Sequence, residues 1–142
     1  MLSDNHGPYD LLDELDFGGV PTDHEVHVRL FMLAVCDQIS DLLPDVALAG
    51  VNASRAFQAG TLDAGSLVAA RVACWNVLGS RSRDFRDPAV CRVRAAICTM
   101  FTEPHDPFDS VHNFLDFASR GGVVDSVLLA LLASHFQKRV IR

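Results

Sequence analysis

Residues 22–43 read TDHEVHVRLFMLAVCDQISDLL, and the spacing of their apolar side chains decides the fold class. Val28, Phe31, Val35, Ile39 and Leu42 recur at steps of three and four, the period that lines one face of an α-helix. Apolar residues also fill the flanking positions from Leu30 to Cys36. A helix apolar nearly all round is a central one. Thr22 and Glu25 stand at capping-box spacing, in which each side chain satisfies a free amide at the other's position. Pro44 closes the segment, so the pattern predicts a buried helix from Thr22 to just before Pro44.

Working outward, the chain reads as helix after helix. Asp45 to Ala59 forms a second helix stopped by Gly60. Its small residues (Ala47, Ala49, Gly50, Ala53, Ala56) permit close approach to a neighbour. A third runs from Asp63 to Leu78, with Leu67, Ala70, Cys74 and Leu78 as its inner stripe and Gly79 after it. Ser80–Arg86 (SRSRDFR) is a basic loop. Asp87 followed by Pro88 is a helix start with a mechanism: Asp accepts orphan amides and Pro fits the first helical position. That helix is expected to reach Phe101. The same device at Asp106–Pro107 opens a helix to Ser119, with Phe108, Val111, Leu115 and Ala118 facing inward. Gly121–Gly122 break the chain, and Val123–Lys138 ends in cations, which suit a helix C-terminus. Residues 1–21 read as an acidic arm or a short helix: Asp10–Phe17 (DLLDELDF) is amphipathic, and Gly18, Gly19 and Pro21 stop it. No segment alternates with period two. The expectation is an all-α, single-domain protein over residues 1–142, a bundle or orthogonal array of five to six helices.

Composition narrows the function classes. About half of the 142 residues are apolar, which argues against disorder. The longest apolar concentrations, Leu30–Cys36 and Val127–Ala133, fall far short of the roughly 20 residues that span a bilayer. The acidic N-terminus lacks the basic start and apolar core of a signal peptide, so a cytoplasmic address is expected. Cys36, Cys74, Cys91 and Cys98 have apolar neighbours and read as reduced core thiols. The net charge of −6 makes nucleic acid a poor partner. The charge is unevenly placed: seven acids and no Lys or Arg stand from Met1 to Val28, against six arginines and two acids from Arg71 to Arg94.

Several groupings invite chemistry, and each has a plainer reading. His24-Glu25-Val26-His27 spaces its histidines by three, not the four that puts two metal ligands on one helical face. Cys91 and Cys98 lie two helical turns apart, about 10 Å, too far to bridge. Cys74 or Cys98 beside His112 would make a nucleophile pair, without an activating signature in the sequence. Glu103, His105, Asp106 and Asp109 resemble an acid–base cluster, yet Asp106 is a cap and Asp109 a first-turn acid. Arg71, Arg81, Arg83 and Arg86 could form an anion-binding patch. Arg92 and Arg94 read as snorkelling arginines paired with N-terminal acids, and Trp75 as a core anchor. No motif calls for a metal or cofactor.

Ala56-Phe57 and Gly60, then Leu67, Ala70-Arg71 and Cys74-Trp75, followed by Arg94-Ala95-Ala96-Ile97-Cys98, resemble helical immunity proteins of bacterial polymorphic-toxin and contact-dependent-inhibition systems. The resemblance covers about residues 50–100. It implies a cytoplasmic protein that binds and neutralises one cognate toxin domain, and it carries no residue roles with it.

Charge points the same way. A small acidic protein can cover a basic cleft by mimicking phosphate. The expected partner-binding residues are Asp10, Asp13, Glu14, Asp16, Asp23 and Glu25, and the expected partner is a basic toxin domain. The competing expectations are a small-molecule or enzymatic site around His105, Asp106 and His112 or around the Arg71–Arg86 patch, and a homodimeric scaffold. Monomer and homodimer stay open.

Overall fold

The computed structural model describes residues 7–14, 24–102 and 107–136, with the backbone alone at Glu14, His24, Glu25, Pro107 and Phe108. Among these residues seven α-helices follow one another: α1 (Pro8–Glu14), α2 (His24–Asp37), α3 (Asp45–Gln58), α4 (Ala64–Leu78), α5 (Pro88–Cys98), α6 (Pro107–Arg120) and α7 (Asp125–Phe136). Short 3-10 turns cover Ser40–Leu42 and Gly79–Arg81. No strand occurs among the described residues. The protein is all-α.

Helices α2 and α5 occupy the middle. Helix α2 packs against α3, α5, α6 and α7, and α5 against α2, α3, α4 and α6. Helix α4 lies outside α3 and α5, whereas α1 lies on α6 and α7. The pattern that predicted a central helix holds as far as Ile39: Phe31, Val35 and Cys36 are completely buried, with Met32 and Leu33 nearly so, whereas Leu42, counted in the same stripe, is exposed because the helix has ended before it. Phe31 meets Phe114 and Phe136 edge to face, with centroids 5.8 and 5.9 Å apart, the arrangement aromatic quadrupoles favour. The inward residues of α6 are Val111, Phe114, Leu115 and Ala118, a stripe at steps of three and four.

Helix ends follow local chemistry. Asp87 accepts the Ala89 amide at 2.9 Å, so the predicted N-cap is in place, and Asp63, expected as the first helical residue, instead caps α4 by accepting the Ser66 amide at 2.7 Å. Asp106 and the Thr22–Glu25 capping box lie outside the described residues. Gly122 has φ +113, and beside it the Val123 amide bonds the Ala118 carbonyl and the Gly122 amide the Ser119 carbonyl. That Schellman pattern requires a left-handed residue. Gly60 (φ +82) ends α3 in the same way.

Two expected boundaries need correction. The first helix ends at Asp37 instead of continuing to Pro44. The Ser40 hydroxyl bonds back to the Asp37 carbonyl, a known competitor with helical pairing. Pro44 holds Leu43 extended at ψ 138, as the residue before proline prefers. Likewise α5 stops at Cys98, not Phe101. Its last turn tightens, with the Thr99 and Met100 amides reaching back three residues to Ala96 and Ile97.

Close approach is needed where α6 ends against α5. A Cβ at Gly121 would stand 2.8 Å from Arg92 Cγ and 3.1 Å from the Phe117 carbonyl oxygen. Gly65, by contrast, faces open space apart from Asp63 at 3.6 Å. Gly121→Ala should therefore destabilise the protein by about 1–3 kcal/mol. Gly65→Ala should stabilise it by up to about 1 kcal/mol through helix propensity. Denaturant midpoints of both variants test the contrast, and equal shifts of one sign would refute it.

Candidate functional site

Two charged regions were expected, and the structure places them differently from one another. The acidic one centres on α1. Leu11 and Leu12 are buried, and Pro8 occupies the first helical position. The Tyr9 hydroxyl donates to Asp116 of α6 at 2.6 Å, and its ring tilts over His112 at 5.1 Å. Burial, and then the bond to Asp116, raise the Tyr9 pKa well above 10.0. This N-terminal element is thus a docked helix. Asp10 and Asp13 are exposed on it. The Asp10 carboxylate also accepts the Gly7 amide at 3.1 Å, the returning half of a capping box. Asp16 and Asp23, and the side chains of Glu14 and Glu25, lie outside the described residues. Asp116 and Asp125 are close enough to Tyr9 to raise its pKa and Arg120 close enough to oppose them, so carboxylates of α1, α6 and α7 share one side of the fold with the cation Arg120 near Tyr9.

The four patch arginines are not gathered. Arg71, on α4, lies over the Phe101 ring at 4.6 Å, beyond the C-terminal end of α5. Arg81 sits 3.6 Å from Asp87, at the N-terminal end of α5. The eleven residues of α5 separate those ends by about 15 Å. Arg81, Arg83 and Arg86 stay together on the exposed loop.

That loop is held by a residue with another expected role. Arg94 lies over three rings, 4.7 Å from the Trp75 and Phe117 centroids and 5.3 Å from that of Phe85. Its Nη1 donates to the Ser82 carbonyl at 2.6 Å. Burial lowers its pKa below the ordinary guanidinium value, but an arginine remains cationic, and the ring faces offer it negative charge. Arg92 gives Nη1 to the Gly121 carbonyl at 2.9 Å. Pairing of these two with N-terminal acids, the earlier expectation, is replaced by rings and carbonyl groups. Trp75 is half-buried against the core.

Arg29 was not singled out by the sequence reading. Its Nε donates to the Thr99 carbonyl at 3.3 Å, Nη1 to Gln58 at 3.0 Å and Nη2 to the Phe101 carbonyl. Its guanidinium lies over Phe57 at 5.0 Å. One available signal was that Arg29 is the first cation of the chain, alone in the apolar run of α2.

The candidate catalytic groups are dispersed. The Cys74 thiol points at the Val46 carbonyl of α3 (3.7 Å), whereas His112 lies against Tyr9 of α1. Burial pushes the Cys74 thiol up to about 11 and the Cys98 thiol up to about 12, so both are protonated at neutral pH, the reverse of an activated nucleophile. Cys36 and Cys91 are shifted the same way by burial. All four cysteines are free. Glu103, His105 and Asp106 lie outside the described residues, and Asp109 is exposed. Among the described residues no three His, Cys, Asp or Glu side chains stand close enough to hold a metal. No described helix is long and apolar enough to cross a membrane. An open cleft of about 320 Å³ between α2 and α3 is lined by Leu30, Leu33, Ala34 and Ala59, with the Asp37–Arg55 ion pair and Gln58 also lining it.

No family model, curated protein or solved structure matches this chain.

Two tests follow from this geometry. Arg94→Ala should free the Ser80–Arg86 loop, raising its backbone hydrogen exchange by about tenfold or more while α2 stays protected. Unchanged exchange in the loop would show that the rings alone hold it. Raised folded-state pKa values at four thiols and Tyr9 favour the neutral forms. Their contribution is full below the ordinary value near 9.0 for thiols, and is lost as pH climbs toward the folded values. Stability to denaturant should therefore fall between about pH 8 and pH 11; a flat profile would contradict the burial of these groups.

Proposed function

We propose that this protein is a non-enzymatic protein-binding module that presents a fixed acidic face. In the narrower reading it is a cytoplasmic immunity protein that neutralises a basic toxin domain by covering its active or substrate-binding surface. The observation that carries the proposal is the docking of α1. Leu11, Leu12 and the Tyr9–Asp116 bond fix the helix, so Asp10 and Asp13 are displayed on a rigid support. A preformed charged surface binds without the ordering cost of a flexible tail. It also steers a partner of opposite charge, raising the association rate more than the affinity. The net charge of −6 adds a long-range attraction to a basic partner. The narrower reading draws on the resemblance over about residues 50–100 and on that charge.

The test uses the product of the neighbouring reading frame, purified as its basic domain. It should form a complex with this protein and lose its toxicity on co-expression. Asp13→Asn together with Asp10→Asn should slow association by about three- to tenfold at low salt and flatten its salt dependence. A complex whose association rate is indifferent to both changes would overturn the electrostatic reading. Retained toxicity would overturn the immunity reading.

A further inference from the structure

Arg92 on α5 is fixed in place but only half used. Its stem packs so closely on the end of α6 that a Cβ at Gly121 would stand 2.8 Å from Arg92 Cγ. Its Nη1 donates to the Gly121 carbonyl at 2.9 Å. The other edge of the guanidinium is unoccupied. Nε is shut off from solvent and has no acceptor among the described residues. Nη2 has none there either, but it keeps contact with solvent. Arg29, by contrast, has an acceptor for Nε, Nη1 and Nη2 alike. A buried donor left unpaired costs about 1–3 kcal/mol, and more when it is charged. Carboxylates do not meet the need. No described carboxylate pairs with Arg92, Arg94 or Arg120, and the ion pair at this end of the fold is that of Arg81 with Asp87. The charges acting most on the Cys91 thiol, one residue before Arg92, are those of Arg120, Asp87, Arg94 and Arg92. That is three cations against one acid, and the acid is already engaged by the Ala89 amide and Arg81. Asp116 and Asp125 act instead on Tyr9, which also feels Arg120.

We infer that the unoccupied Nε–Nη2 edge of Arg92, with Arg120 exposed at the end of α6, is a binding site for a phosphate group, free or at the end of a small phosphomonoester. That edge offers two parallel N–H bonds, the geometry that takes two oxygens of one oxyanion. The anion enters from the Nη2 side, and a slight swing of the guanidinium about its Gly121 bond brings Nε to the second oxygen. The excess of cations over acids around Cys91 favours a dianion over a lone carboxylate. Arg94, held by its rings, adds a fixed charge without touching the ligand. Compactness matters as well. A small ligand stays within about one Debye length of these cations, about 8–10 Å. A nucleic acid would run on over the surface of a protein of net charge −6. Because the stem and Nη1 of Arg92 are already fixed, little side-chain freedom is lost on binding. The site does not rest on the toxin-binding reading.

Nuclear magnetic resonance of the isotope-labelled full chain tests this through the arginine Nε–H signals. Inorganic phosphate, titrated at constant ionic strength, should shift the Arg92 signal saturably in the millimolar range. The Arg29 signal, whose Nε already donates to Thr99, should stay in place. Arg92→Lys keeps the charge but loses the two-pronged edge, and should weaken binding by about tenfold or more. Arg120→Gln, at an exposed position, should weaken it about two- to fivefold without moving the thermal midpoint, so the test does not depend on how well Arg92→Lys folds. Glycerol phosphate separates the two sources. Saturation by it as well as by phosphate supports a site for an ester's phosphoryl group, and saturation by phosphate alone supports a site for the free ion. An Arg92 signal that never saturates, or that acetate moves as readily as phosphate does, overturns the proposal. So does phosphate binding indifferent to both Arg92→Lys and Arg120→Gln.

Discussion

The Thr99 carbonyl is the point on which the bundle turns. Helix α5 is buried along most of its length, at Val90, Cys91, Val93, Ala95, Ala96 and Ile97, so its C-terminal carbonyl groups cannot be left to water. An unpaired buried carbonyl costs about 1–3 kcal/mol, a large share of the stability of a domain this size. Three side chains meet the need. Ser54 of α3 donates to the Thr99 carbonyl at 2.6 Å, Arg29 of α2 donates to Thr99 and Phe101, and the Thr99 hydroxyl turns back to Ala96. Ser54 and Thr99 are the buried polar residues among those described, and both serve this one helix end. Helices α2, α3 and α5 are thereby set relative to one another before any apolar packing is counted.

Arginine is the residue suited to that task. Its planar fork can give several bonds at fixed angles and lie flat on a ring at once, as Arg29 does with two carbonyl groups, Gln58 and Phe57. The same chemistry recurs at Arg94 with three rings and a carbonyl, and at Arg71 with Phe101. This changes the meaning of the charge asymmetry. Of the six arginines between Arg71 and Arg94, three join helices to one another or to loops, and Arg81, Arg83 and Arg86 remain as the exposed cationic group. The sequence count therefore overstates the positive pole, whereas the negative pole on α1 is at the surface where it can act.

What was legible in the sequence was local. Steps of three and four identified the buried faces of α2, α4 and α6. Asp63 and Asp87 announced helix starts, and Gly60 and Gly122 announced left-handed stops. Each of these signals is carried by residues within one or two turns of each other. What escaped depends on partners far apart in the chain. Tyr9 finds Asp116 across 107 positions, so DLLDELDF could be read as an arm or a helix with equal reason. Arg29 finds Thr99 across 70, and a lone cation in an apolar run has no local pattern to betray its acceptor. The outer face of α4 escaped for a different reason. The stripe of Leu67, Cys74 and Leu78 marks its buried side, but Val72 and Val77 leave the other side apolar as well, where periodicity leads one to expect charge.

Asp10 shows how fold and function are bound together on α1. Its carboxylate accepts the Gly7 amide and so fixes the start of the helix, while its charge contributes to the acidic face. Removing that charge alters two things at once: the docking of α1 and the field it projects. Asp13 is exposed one turn further on and has no part in the helix start. The electrostatic contribution is therefore read most cleanly at Asp13. An effect confined to Asp10 would mean that the geometry of the helix start, not the charge it carries, is what a partner requires.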